Sequence, residues 1–169
     1  MEDFLKTITW HQVGATIDML ENAIRACPED LWHDRSRVPE FWYVTYHTLF
    51  WLDFHVDDSP STFMPRAPFT LEEMDPAGII PEQPYSKDEL LSYLAEGREK
   101  CRSFVAALTE QTMQEDTAKG SFPCSKLESV LTTMRHVQHH TAQLNLILRQ
   151  QIDSAPRWVA KAKVGLISA

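Results

Sequence analysis

The apolar positions Trp10, Val13, Ile17, Leu20, Ile24 and Cys27 follow one another in alternating steps of three and four. That rhythm predicts one long amphipathic helix from Asp3 to about Cys27, because residues three and four apart share a helix face. Pro28 stops it, and Pro28-Glu29-Asp30-Leu31-Trp32 reads as a short helical turn opened by proline. A second helix begins after Pro39 and runs from about Glu40 to Val56. It carries 11 apolar residues among the 16 from Phe41 to Val56, the pattern of a helix buried on nearly every side. His47, Asp53 and His55 interrupt the run, which is also short for a bilayer, so it belongs to a core.

From Asp57 to Tyr85 the periodicity disappears, and six of the ten prolines fall there. A connection this long inside a compact domain is expected to cross the whole molecule or to carry function. Ser86-Lys87-Asp88-Glu89 is a capping box that opens a third helix reaching about Gln111, with Leu90, Leu94, Cys101, Phe104, Val105 and Leu108 as its stripe. Ser125-Lys126-Leu127-Glu128 repeats the signature after a polar loop holding Gly120 and Pro123. It starts a fourth helix through roughly Ile152, whose core face reads Leu127, Val130, Leu131, Met134, Val137, Leu144 and Leu148. The tail Pro156-Arg157-Trp158-Val159 is expected to fold back through Trp158. No strand pattern or internal repeat competes, so the chain reads as all-α, one domain over residues 1–169, a four-helix bundle.

Composition narrows the function. Sixteen Lys and Arg against 24 Asp and Glu give a formal charge of −8, which repels a phosphate backbone and excludes nucleic acid as an expected partner. There is no G-x-G-x-x-G and no G-x-x-x-x-G-K to cradle a nucleotide. Cys27, Cys101 and Cys124 are odd in number and far apart, which suits reduced thiols packed as small hydrophobes. MEDFLKTITW lacks a basic segment followed by an apolar one, so no secretory signal and a cytoplasmic location are expected, without membrane contact.

The chemistry lies in the histidines. On the fourth helix His136 and His140 are four residues apart, about 40° around the axis and about 6 Å along it, so they share a face. His139 lies off that pair. Two imidazoles hold a divalent ion poorly, and His47 is the candidate third: it sits in the most buried helix, on one face with Tyr43, Trp51 and Phe54, where an unpaired imidazole is costly. His55 is about 12 Å further along the same helix, and His11 and His33 have no partners in the pattern. Asp53 lies about 240° round from His47, which removes it as a ligand. Each feature alone also fits a packed histidine, bonded to a carbonyl. Gln143 fits either an outer donor to the pair or an exposed polar position.

Together these residues resemble the DinB/YfiT-like superfamily of four-helix metalloenzymes. His136, His140 and Gln143 match its late H-x-x-x-H-x-x-Q motif, and His47 within Phe41-Trp42-Tyr43-Val44-Thr45-Tyr46-His47-Thr48-Leu49 matches its early one. Pro84-Tyr85-Ser86 leading into Leu90-Leu91-x-Tyr93-Leu94, and the Pro156-Arg157-Trp158-Val159 tail, extend the likeness over nearly the whole chain. The resemblance implies an up-down-down-up order with residues 57–85 as the crossover. It also implies a divalent metal, zinc or nickel, held by His47, His136 and His140, and a homodimer. Three neutral imidazoles leave a position open, the arrangement of a catalytic site. The implied chemistry is a thiol-dependent transferase or isomerase acting on a small molecule with a low-molecular-weight thiol, or a hydrolase. The alternative is a metal-binding stress-response protein without turnover. No basic cluster marks a site for a highly anionic thiol, though Arg135, Arg149 and Arg157 could each contribute, and no glutamate is placed by spacing as a general base.

Overall fold

The structure, a computed structural model, describes residues 1–117 and 124–166. It is all-α in character. Four long helices carry the mass: α1 (Glu2–Ala26), α3 (Phe41–His55), α4 (Lys87–Ala107) and α5 (Lys126–Ile152), with α2 (Glu29–Trp32) a single turn behind Pro28. Both capping boxes form, Ser86 with Glu89 at the start of α4 and Ser125 with Glu128 at the start of α5. Each satisfies amide groups that the first turn of a helix leaves without partners.

α1 packs on α4 and α5, and α3 packs on the same two helices. Polar contacts fix the directions. Lys6, near the start of α1, reaches the carbonyl of Ala106 at the end of α4, while Arg98 bonds Asp18 and Glu21 further along α1, so those helices run oppositely. Asp53 in the last turn of α3 and Asp57 just beyond it hold Lys100 of α4 at 2.5 and 2.6 Å, and Trp42 at the start of α3 meets Tyr85 just before α4, so these two helices run alongside. Ser129 near the start of α5 bonds the carbonyl of His55 at the end of α3.

The core is centred on α3, as its all-round apolar pattern predicts. Trp42, Tyr46, Phe41 and Phe50 are fully buried, together with Trp10 of α1 and Trp32 of α2. These rings are core and not a surface platform for a ligand. Phe63 and Phe69 join them from the proline-rich connection, Phe69 stacking on Tyr93 at 4.2 Å between centroids. Burying each Phe is worth about 1.5–3 kcal/mol, enough to anchor an aperiodic segment that has two short 3-10 turns, Pro60–Thr62 and Leu71–Met74, as its only helical structure.

Three expectations change. The third helix ends at Ala107 and not near Gln111, because the hydroxyls of Thr109 and Thr112 each accept a bond from the other's amide and begin a separate turn. Asp116–Thr117 (β1) pairs antiparallel with Cys124–Ser125 (β2), a two-residue pairing too short to leave a period in the sequence. The expected loop at Gly120 and Pro123 lies outside the described residues. The tail does fold back, but not through Trp158, which stays 68% exposed. Main-chain bonds do the work instead: Ala162 donates to the His11 carbonyl, Lys163 to Asp18, and the Trp10 indole to the Val164 carbonyl. Gly14 permits this approach, since a Cβ there would stand 2.7 Å from that of Ala162.

Candidate metal centre

His47 sits midway along α3, one turn after Tyr43 and one before Trp51, on the side that faces α5. The i, i+4 spacing of His136 and His140 turns both toward it. Ring centroids are 5.1 Å apart for His47 and His136, 4.7 Å for His47 and His140, and 4.5 Å for the α5 pair. One nitrogen from each of the three lies within 4.8 Å of the others.

The remaining nitrogens decide what the inner ones can do. His47 Nδ1 is hydrogen-bonded to Glu73 Oε1. A carboxylate only accepts, so Nδ1 carries a proton, and in the neutral ring Nε2 is the nitrogen with the lone pair. His140 Nδ1 donates to Gln143 Oε1 at 2.8 Å, which bares its Nε2 in the same way. His136 Nε2 stands 3.2 Å from His47 Nε2, while His136 Nδ1 is buried with no hydrogen-bond partner. If His136 Nε2–H donates to His47, a lone pair is buried at Nδ1. If the proton moves to Nδ1, two lone pairs face each other. A cation between the inner nitrogens removes the second conflict. Two imidazoles bound at about 2.0–2.1 Å to one tetrahedral ion have nitrogens about 3.3 Å apart, close to the separation found. The residues therefore fit a divalent ion.

Glu73 is the residue that the sequence did not reveal. It comes from the proline-rich connection, on the turn Leu71–Met74, where Thr70 begins the turn by accepting the Glu72 amide. Phe69, pinned against Tyr46 and Tyr93, holds the approach. The Glu73 side chain is 5% exposed and receives three donors: His47 Nδ1, the Trp51 indole at 3.2 Å and the Tyr43 hydroxyl at 3.2 Å. Burial and the neighbouring Glu73 charge push the Tyr43 hydroxyl up to about 12, so it stays a donor at neutral pH.

The other candidates fall outside. His139 is exposed and touches Gln143 on the outer side of α5. Gln143 contacts the pair through its acceptor oxygen and not as a donor. His55 packs against Trp51, its centroid 6.1 Å from that of His136, and is not a member of the triad. Asp53 is bound to Tyr93 and Lys100. Cys27 and Cys101 are buried, and burial pushes both thiols up to about 12, so they stay protonated.

Burial, reinforced by the neighbouring imidazoles, drives His136 down to about 3, and burial also lowers His140. Protons thus compete weakly for His136 at neutral pH. The unfolded imidazole titrates near 6.5, so the neutral buried form contributes stability above that pH and loses it as pH falls toward about 3. In the metal-free protein the His136 ring is expected to keep its neutral nitrogen chemical shifts at pH 5 and to gain its proton only as the fold weakens below pH 4. Titration near 6.5 in the folded protein would contradict this burial.

Residues 12–144 match the DinB superfamily. No curated protein and no solved structure matches the chain.

Proposed function

The chain belongs to the DinB superfamily, and from that premise we propose that it is a divalent-metal-dependent enzyme that activates a thiol or a water, of the thiol S-transferase, isomerase or hydrolase type. His47, His136 and His140 hold the ion, zinc or nickel. The observation that carries this reading is the division of labour among nitrogens: the outer nitrogens of His47 and His140 are engaged by Glu73 and Gln143, while one nitrogen of each of the three rings lies within 4.8 Å of the others. The fold is read as an up-down-down-up four-helix bundle, with residues 57–85 as the crossover that brings Glu73 to the site, and the domain as a single cytoplasmic unit.

When bound by three neutral imidazoles, a divalent ion keeps a position for an outside ligand and makes a thiol or water that occupies it more acidic. The chain's own residues favour the thiol. Glu73 spends its carboxylate on three donors and is shielded from solvent, so it orients His47 and is not aimed as a general base at an attacking water. Cys27 and Cys101 are protonated core residues and Cys124 lies in β2 with its sulfur against Thr117, so among the described residues no cysteine joins the triad, which supports a nucleophilic sulfur supplied by a small molecule.

Protein purified without chelator is expected to carry about one zinc or nickel ion per chain by elemental analysis. Its cobalt-substituted form should change its visible absorption when a low-molecular-weight thiol is added. Metal-free protein that takes up none of these ions would refute the centre, and an unchanged cobalt spectrum would refute the thiol arm.

A further inference from the structure

A cleft of about 630 Å³ lies along α5, walled by α1 on one side and by the C-terminal strap on the other. Gln12 and Thr16 line it from α1, Met134, Arg135 and His136 from α5, and Trp158 from the strap. Its volume is that of a small-molecule site. Three observations say what it would take.

Trp158 leaves 68% of its surface in water, although the strap that carries it is not loose. The Gln12 amide donates to the Ala160 carbonyl, Ala162 to His11, and the Lys163 amide to Asp18. A large flat ring is therefore carried at the cleft by an anchored main chain without being used as core, and stacking on another flat group is what such a ring does best. Arg135 carries the one full positive charge among the lining residues, and among the described residues it makes no ion pair. Its guanidinium is available to a carboxylate or a similar anion. The third observation is continuity: His136 lines the cleft and also belongs to the histidine triad.

We propose that this cleft binds a flat aromatic small molecule carrying a single anionic group, the ring against Trp158 and the anion on Arg135, so that the bound molecule lies beside His136. One cation in the lining matches a ligand with one negative charge better than a polyanion. The proposal deepens the metal-enzyme reading by giving its substrate class, and it rests on that reading only for which molecule is acted upon. Binding itself stands on the cleft.

The test is calorimetric titration of the full chain with 2-naphthoate, a flat ring with one carboxylate, and with neutral 2-naphthamide. Saturable one-to-one binding of the carboxylate is expected. Trp158→Ala should weaken both compounds about tenfold, the size of one lost stacked ring. Arg135→Gln should weaken 2-naphthoate about fivefold and leave 2-naphthamide unchanged, as expected for one partly solvated charge pair. Phe4→Ala, at a ring exposed near the start of α1, should change neither. Equal affinity for acid and amide would overturn the anionic end, and indifference to Trp158→Ala, or an equal loss with Phe4→Ala, would overturn the cleft. Metal content measured on the same samples separates the two readings. Binding with these variant effects but no metal leaves the cleft standing and the metal centre refuted; metal without them does the reverse.

Discussion

Replacing His140 with alanine is expected to abolish stoichiometric metal binding while leaving the helical content of the chain intact. The imidazole is half-buried at the edge of the core face of α5, where it meets the other two rings, His139 and Gln143. The core at this level is made by Val137, Thr141 and Leu144, all fully buried. Removal therefore takes away a ligand but few apolar contacts. Outer residues that merely orient a ligand cost about 10–100-fold in affinity when lost, and a ligand itself should cost more. Elemental analysis and circular dichroism check the two halves. His139→Ala is the control on the same helix, because His139 is exposed and outside the triad. A His140→Ala protein that still holds one ion per chain, or that unfolds outright, would overturn the assignment of faces on α5.

Glu73→Ala is expected to weaken metal binding about 10–100-fold, although Glu73 touches no ion in this reading. Without its carboxylate, His47 Nδ1 loses the acceptor that fixes its proton and turns Nε2 toward α5. The Trp51 indole and the Tyr43 hydroxyl lose their acceptor as well. Leaving such part-buried donors unsatisfied should lower stability by about 1–3 kcal/mol. Competition with a chromophoric chelator measures the first effect and urea denaturation the second. Glu73→Gln keeps an acceptor oxygen for His47 and should recover most of the affinity. Unchanged affinity in Glu73→Ala would make the carboxylate a packing group alone.

The contrast between His140 and Glu73 shows where sequence reasoning reaches and where it stops. His136 and His140 are legible because four residues of α-helix place two side chains on one face, whatever surrounds them. His47 is legible for a different reason: a polar ring in a run as apolar as Phe41 to Val56 must find a partner, and the fourth helix offers one. Glu73 has neither mark. It lies in an aperiodic segment, 26 positions from the histidine it orients, and what brings it there is the burial of Phe69 against Tyr46 and Tyr93. That no glutamate is placed by spacing as a general base concerns spacing alone, and spacing does not govern contacts made through packing.

Trp158 fails from the other side. A tryptophan in a tail invites the expectation that burial drives the fold-back, since a ring of that size gains most from leaving water. The strap is instead seated by the amides of Ala162 and Lys163 and the carbonyls of Ala160 and Val164. Every residue carries a main-chain carbonyl and every residue but proline an N–H, so the sequence does not mark which ones will be used.

By itself, then, the sequence determined what local rules can determine. Helix phases follow from the period of 3.6, the starts of α4 and α5 from two capping boxes, the central place of α3 from its all-round apolarity, and the shared face of His136 and His140 from their spacing. Only the tertiary structure decided that the three imidazoles converge, that Glu73 closes over His47, and that Trp158 stands in water above a cleft that reaches His136. Those facts depend on pairs of residues far apart in the chain, and such pairs are chosen by the packing of whole helices and by main-chain hydrogen bonds, neither of which leaves a periodic trace in the order of residues.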